Sequence, residues 1–179
     1  MEQVFAPWRI EWVERDGDDV DACVFCELPA QEDDRANHVV ARSDHAFVLL
    51  NNYPYNPGHA MVIPRVHTGE YGDLDDEVLL DHARLKQHTF AALDGAFDPN
   101  GFNAGLNLGA SSGGSIGDHL HTHVVPRWNG DTNFMPVISD TTVIVEALDD
   151  TYDRVRAAFA DLDGVEDRGP ETAVRVRFD

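Results

Sequence analysis

Lysine is almost absent from this chain of 179 residues. Lys86 is the only one among thirteen basic side chains, which face 33 acidic ones for a formal net charge of −20. A surface of that sign repels phosphate backbones and so excludes sequence-independent nucleic-acid binding. Self-repulsion at this density destabilises a compact state unless salt screens it, and the Debye length falls to ~3 Å at 1 M salt. The acid excess and the missing lysines together point to a salt-rich cytoplasm and a halophilic source. The carboxylates are spread along the chain rather than gathered at one end, which argues against an acidic interaction tail. Long hydrophobic runs are missing too, and none approaches the ~18 to 20 residues needed to cross a bilayer. The opening "MEQVFAPWRIEW" lacks the basic flank and apolar stretch of a secretory signal, so a cytoplasmic protein is expected. Cysteine is scarce, and its only copies, Cys23 and Cys26, stand in "CVFC". In a reducing compartment this spacing suggests a metal or redox chemistry before a structural disulfide. No βαβ pattern surrounds it to suggest a thioredoxin-type motif, and a metal would need two further ligands.

Hydrophobic residues make up 42% of the chain and aromatics 9%, which fits one globular domain with a proper core. No internal repeat or low-complexity segment interrupts it. Residues 1–22 carry Trp8 and Trp12 ahead of an acidic stretch that reads as a loop. "HAFVLLN" (45–51) and "HAMVIP" (59–64) are short apolar runs bounded by turn residues and read as strands, joined by the turn-rich "NYPYNPG". From 73 to about 94 an apolar stripe near the 3.6-residue period predicts a helix, with acidic residues in its first turn and Gly95 just past its end. "GFNAGLNLG" (101–109) reads as a strand and "ASSGGSIG" (110–117) as a flexible loop; "TTVIVEAL" (141–148) starts as a strand, and 149–163 reads as a closing helix. Short strands and two helices without strict alternation give an α+β class.

"DHLHTHVVPRW" (118–128) sets His119, His121 and His123 at alternate positions. On a strand these share one face, spanning roughly 13 Å at ~3.3 Å per residue, while Leu120, Thr122 and Val124 face the core. Three readings stand open. They are surface histidines; or they converge on a catalytic zinc; or one is a nucleophile whose neighbours bind an anion. The preceding loop favours the last, because Gly113, Gly114 and Ser115 can offer backbone N–H groups and a hydroxyl to phosphate oxygens.

"HLHTHVVPR" resembles the His-φ-His-φ-His-φ-φ signature of the histidine triad (HIT) superfamily, with Thr122 a weak φ. "LLNNYPYNPGHAMVIPRVH" (49–67) resembles another block of that family. "FNAGLNLGASSGGSIGDHLHTHVVPRWNGDTNFMPV" and "APWR" are similar to its diadenosine tetraphosphate (Ap4A) phosphorylase branch; the likeness covers about residues 6 to 148. It implies a HIT-like antiparallel sheet of about five strands with two main helices, in a homodimer or higher oligomer with an extended sheet. An N-terminal extension (1–22), a HIT-like domain (23–148) and a C-terminal helix and tail (149–179) would make up the chain. The implied chemistry is nucleotidyl transfer or hydrolysis, with His121 attacking an α-phosphorus and His123 contacting the phosphate or leaving oxygen. His59, Asn51, Asn107, Gly114 and Ser115 match substrate-binding positions, each polar one also readable as a turn-former. The segment between Asn107 and His119 is one residue longer than in simpler relatives, which loosens the placement of Ser115.

In several branches of that superfamily a C-x-x-C pairs with a histidine after the second strand and with the first triad histidine. The resemblance therefore implies a structural zinc site of Cys23, Cys26, His67 and His119. Magnesium bound with the nucleotide would ease the charge mismatch, as would Arg127, which otherwise pairs with surface carboxylates. The leading expectation is phosphorolysis or hydrolysis of an adenine dinucleoside polyphosphate. The alternatives are a nucleoside phosphoramidase or adenylyl hydrolase, a zinc hydrolase using the whole triad, and a non-catalytic nucleotide-binding module.

Overall fold

The structure is a computed structural model, and it describes residues 23–112, 116–131 and 146–178. Chain order runs from a one-turn helix α1 (Val24–Glu27) through strands β1 (Val39–Arg42), β2 (Ala46–Leu50) and β3 (Ala60–Pro64) to the long helix α2 (Asp76–Phe97). Strands β4 (Gly101–Gly105) and β5 (Thr122–Arg127), helix α3 (Leu148–Ala160) and strands β6 (Val165–Glu166) and β7 (Val174–Val176) follow. The class is α+β, as expected. Among the described residues the sheet has seven strands rather than about five, in the order β4-β5-β3-β2-β1-β7-β6. It is mixed rather than antiparallel throughout, because β7 lies parallel to β1. No helix among the described residues is long and apolar enough to cross a membrane.

Both faces of the central strands are buried, which is why "AFVLL" and "AMVIP" are continuous apolar runs rather than alternating ones. The two-residue period sorts them nonetheless. Val48, Leu50, Ala60, Val62 and Val124 face α2 and α3, against Leu85, Leu93, Tyr152 and Phe159. Phe47, Leu49, Met61 and Ile63 face the other way, onto Phe25 of α1, Val39 and Ala173. The helical layer makes the larger core, and the chain around the two cysteines forms the lid of the smaller one.

Several element bounds differ from expectation. Helix α2 passes through Gly95 to Phe97 and stops at Asp98, which is left-handed with φ 47°. Phe97 belongs to the helix because it packs edge-on to Trp128 and beneath the Arg154 guanidinium. Strand β4 ends at Gly105, short of the expected 109, and α3 runs Leu148–Ala160 where 149–163 was expected. The expected strand content of 141–145 lies outside the described residues, as do residues 1–22.

Two consecutive polar residues on α2 are buried. Asp81 accepts the Ser43 hydroxyl and, at 3.2 Å, the His45 backbone N–H, so it locks the helix to the β1–β2 turn. Removing the carboxylate takes the charged acceptor from the His45 N–H and leaves the Ser43 hydroxyl only the Ala46 carbonyl, and a lost hydrogen bond to a charged group costs about 1.5 to 3 kcal/mol. Asp81→Ala is expected to lower the unfolding free energy by about 1.5 to 3 kcal/mol in urea. A loss below about 0.5 kcal/mol, the range of ordinary surface substitutions, would refute the lock.

Candidate active site and metal centre

His119 is 1% exposed and His121 7%, both tucked under Phe25, whose ring centroid lies 5.6 and 5.1 Å from theirs. Neither belongs to a strand: β5 begins at Thr122, so only His123 of the three sits in the ladder. The expected strand is shorter because side-chain bonds rather than rungs hold the first two imidazoles. Thr122 and Val124 turn to the helical core as expected.

The His119 ring donates from Nε2 to the Pro64 carbonyl at 2.8 Å, which leaves the lone pair on Nδ1. That nitrogen lies 3.2 Å from Cys23 Sγ and 3.6 Å from Cys26 Sγ. His67 brings its own Nδ1 to 3.5 Å from Cys26 Sγ, with its Nε2 3.8 Å from the Asp118 carboxylate. All four donor atoms lie within 4.8 Å of one another. Zn–S bonds of ~2.3 Å and Zn–N bonds of ~2.0 Å give a tetrahedron with edges of roughly 3.3 to 3.8 Å, so this donor set can hold zinc. Both rings also have an outer oxygen facing the nitrogen away from the cysteines, the usual way a ligand imidazole is oriented. Burial pushes the His119 imidazole below its ordinary range, and burial with the adjacent Cys23 pushes the Cys26 thiol up. Gly69 makes this approach possible: a Cβ there would sit 2.4 Å from the Gly117 carbonyl oxygen. The Leu120 N–H donates to Thr68 O at 2.8 Å across the same contact.

The other two triad histidines face different partners. The His121 Nδ1 is 2.9 Å from the main-chain oxygen of His119. A carbonyl only accepts, so Nδ1 carries the hydrogen and Nε2 the lone pair. For His123 the tautomer follows from a chain of bonds. The Tyr55 N–H donates to His59 Nδ1 at 3.1 Å, so His59 Nε2 is the protonated nitrogen. It lies 3.0 Å from His123 Nδ1 and donates to it, which leaves His123 with its hydrogen on Nε2. Adjacent imidazoles thus present opposite character at Nε2, one a lone pair and one an N–H. The only metal-competent group among the described residues contains His119 alone of the three.

His59 is 1% exposed, stacked on Tyr55 at 4.9 Å and 14°. Gly58 before it has φ 76°, and a Cβ there would meet the Phe97 ring at 2.7 Å, so only glycine fits. Asn51 is buried, with Oδ1 accepting from the Tyr53 N–H at 2.9 Å, a turn-forming bond that leaves its amide further donor and acceptor capacity. Asn107 lies exposed beyond β4. Gly114 and Ser115 lie outside the described residues, as does Gly113. Arg127 is held by the Asp131 carboxylate at 2.6 and 2.9 Å and donates to Asn103.

Sequence reasoning did not single out Tyr55, Asn56, Asp131 or Pro64. Asn56 donates to Asp131 at 3.0 Å and to the Pro126 carbonyl at 2.9 Å, pinning the His59 turn to the end of β5. The dense turn composition of "NYPYNPG" signals rigidity; nothing in it signals the partner 75 residues away.

Residues 32–130 match the model of the HIT domain. AP-4-A phosphorylase of Mycobacterium tuberculosis is 40% identical over 158 residues, covering 84% of this chain and 80% of that protein. A Zn-bound histidine triad family protein from Mycobacterium smegmatis superposes with a TM-score of 0.64 at 26% identity, covering 79% of this chain and 96% of that one. A hypothetical histidine triad nucleotide-binding protein from Sulfolobus tokodaii gives 0.65 at 25% identity, over 79% and 95%.

The Arg127 guanidinium, with the Trp128 N–H and Asn56, holds the Asp131 carboxyl down at about 2. A depressed folded pKa stabilises above the unfolded value near 3.8 and is lost as pH falls toward 2. Asp131→Asn is expected to flatten the stability–pH curve across that window, measured by urea unfolding at fixed pH. An unchanged slope would show that the clamp carries no folding energy.

Proposed function

This chain belongs to the HIT domain family, and on that premise we propose that it processes nucleotides through His121, cleaving an adenine dinucleoside polyphosphate of the Ap4A type at an α-phosphate. The observation that carries this reading is the bond from His121 Nδ1–H to the His119 carbonyl, which leaves the lone pair on Nε2. A neutral imidazole so fixed is a nucleophile at ordinary pH.

His121 Nε2 attacks the α-phosphorus, forming a P–N bond as the P–O bond to the remaining nucleotide breaks. His123, with its hydrogen on Nε2, donates it to the departing oxygen. His59 supports this by donating to His123 Nδ1, and its own Nδ1 is held by the Tyr55 N–H. A second acceptor then breaks the P–N bond: phosphate yields a nucleoside diphosphate, water a monophosphate. With Ap4A the first step releases ATP, and phosphate converts the adenylyl group to ADP. The resemblance assigns the ribose to Asn51 and the phosphates to Asn107, Gly114 and Ser115, and the backbone N–H groups of that glycine-rich loop suit an anion in a chain of −20. The Tuberculosis relative's name supports phosphorolysis over hydrolysis.

Cys23, Cys26, His67 and His119 are the zinc ligands in this reading. Four protein ligands leave no position for water, so the metal supplies structure, tying the N-terminal chain to the sheet. The zinc-bound Mycobacterium smegmatis neighbour supports the choice of metal.

Incubation with Ap4A in high salt, with and without phosphate, tests the reaction by chromatography of the nucleotides. ADP plus ATP, formed only with phosphate and lost in His121→Asn, is the expected result. AMP plus ATP without phosphate would make the protein a hydrolase. Undiminished cleavage by His121→Asn would refute the nucleophile. For the metal, a single cobalt(II) ion per chain should give thiolate charge-transfer absorption, reduced by about half or more in Cys26→Ser; equal spectra would refute the ligand set.

A further inference from the structure

Position 122 is the one in the triad motif where a hydroxyl replaces an apolar side chain, and it turns away from the catalytic face. We propose that Thr122 and His82 are a positioning pair, whose shared hydrogen bond fixes the β3–β5 register that sets His59 against His123; its kinetic consequence rests on the roles given above to His121 and His123. His82 is 3% exposed on α2 and Thr122 2% on β5. The His82 Nε2 lies 3.2 Å from the Val62 carbonyl oxygen and 3.2 Å from the Thr122 hydroxyl oxygen. The carbonyl can only accept, so Nε2 carries the hydrogen and shares it between the two oxygens. Burial keeps this imidazole below its ordinary range.

Val62 and Thr122 are direct cross-strand partners, so one N–H spans both strands. The adjacent rung pairs Met61 with His123, and two residues before Met61 stands His59. A slip of one residue would turn His123 to the helical face and end its 3.0 Å contact with His59. Apolar residues at 82 and 122 would still keep this face against the helices, but they would make no directional bond tying the helix to Val62 and Thr122 on one rung. The helix presenting His82 is itself locked one residue earlier, where Asp81 grips Ser43 and His45. The arrangement therefore transmits a fixed helix position to β5, which carries His123, and to β3, which follows directly on His59.

Thr122→Val removes the hydroxyl at nearly constant volume, and Thr122→Ser keeps it. Two readouts on the full chain decide the matter. The imidazole ¹H–¹⁵N spectrum, recorded without substrate, is expected to show His59 and His123 each as a single Nε2–H tautomer in wild type. In Thr122→Val both should become mixed or exchange-broadened, with the urea midpoint retained, and Thr122→Ser should restore them. With Ap4A, Thr122→Val should lower kcat about threefold to tenfold, the rate equivalent of one neutral hydrogen bond, at a KM changed by less than about twofold. Thr122→Ser should recover most of it. Either readout staying at the wild-type value in Thr122→Val, or Ser behaving as Val does, overturns the pair. If wild type leaves Ap4A intact, the proposed function fails, and the imidazole spectrum alone still decides the pair.

Discussion

The carbonyl oxygen of His119 fixes which nitrogen of His121 carries a hydrogen, and the rest of the site is arranged around that bond. The same residue's side chain faces the opposite way, toward Cys23 and Cys26, with its far nitrogen bound to Pro64. One residue thus joins the proposed metal centre to the proposed nucleophile without being called on to react. Its main chain is not in the sheet ladder, so the ring bonds and the Phe25 contact are what hold it. This explains why a one-turn helix, the loop at His67 and the close approach at Gly69 converge on a single imidazole.

The sheet divides these tasks between its faces. Helices α2 and α3 cover one face with the larger core; the cysteine segment covers the other, beside the triad. Polar bonds tie these layers together at particular rungs and turns. Asp81 locks the long helix to the β1–β2 turn, Asp131 clamps the His59 turn to the end of β5, and His82 bridges β3 and β5. The −20 charge of the chain is compatible with a polyphosphate substrate only if donors are local, and Arg127 is committed to Asp131 rather than turned over to that work.

Much of this was legible in the sequence. The alternate histidines announced a strand, of which only His123 is part, and the apolar runs of β2 and β3 announced buried strands. The joining of "CVFC" to His67 and His119 came from family resemblance, because spacing alone cannot pair residues 93 apart. What stayed hidden depends on tertiary partners. Asp81 and His82 look like the polar face of any helix until Ser43, Val62 and Thr122 arrive beneath them. The parallel β1–β7 pair joins the first and last strands, and no local periodicity encodes such a contact. Gly95 looks like a helix terminus, yet packing of Phe97 carries the helix past it.

The central claim is that His121 becomes covalently adenylylated. It is tested most directly by mixing the protein with Ap4A in the absence of phosphate, quenching rapidly in alkali, which preserves P–N bonds, and mapping the adduct by mass spectrometry. An adenylyl group on His121, present at early times and discharged on adding phosphate, is the expected result. Turnover with no adduct, or an adduct on another residue, would contradict it.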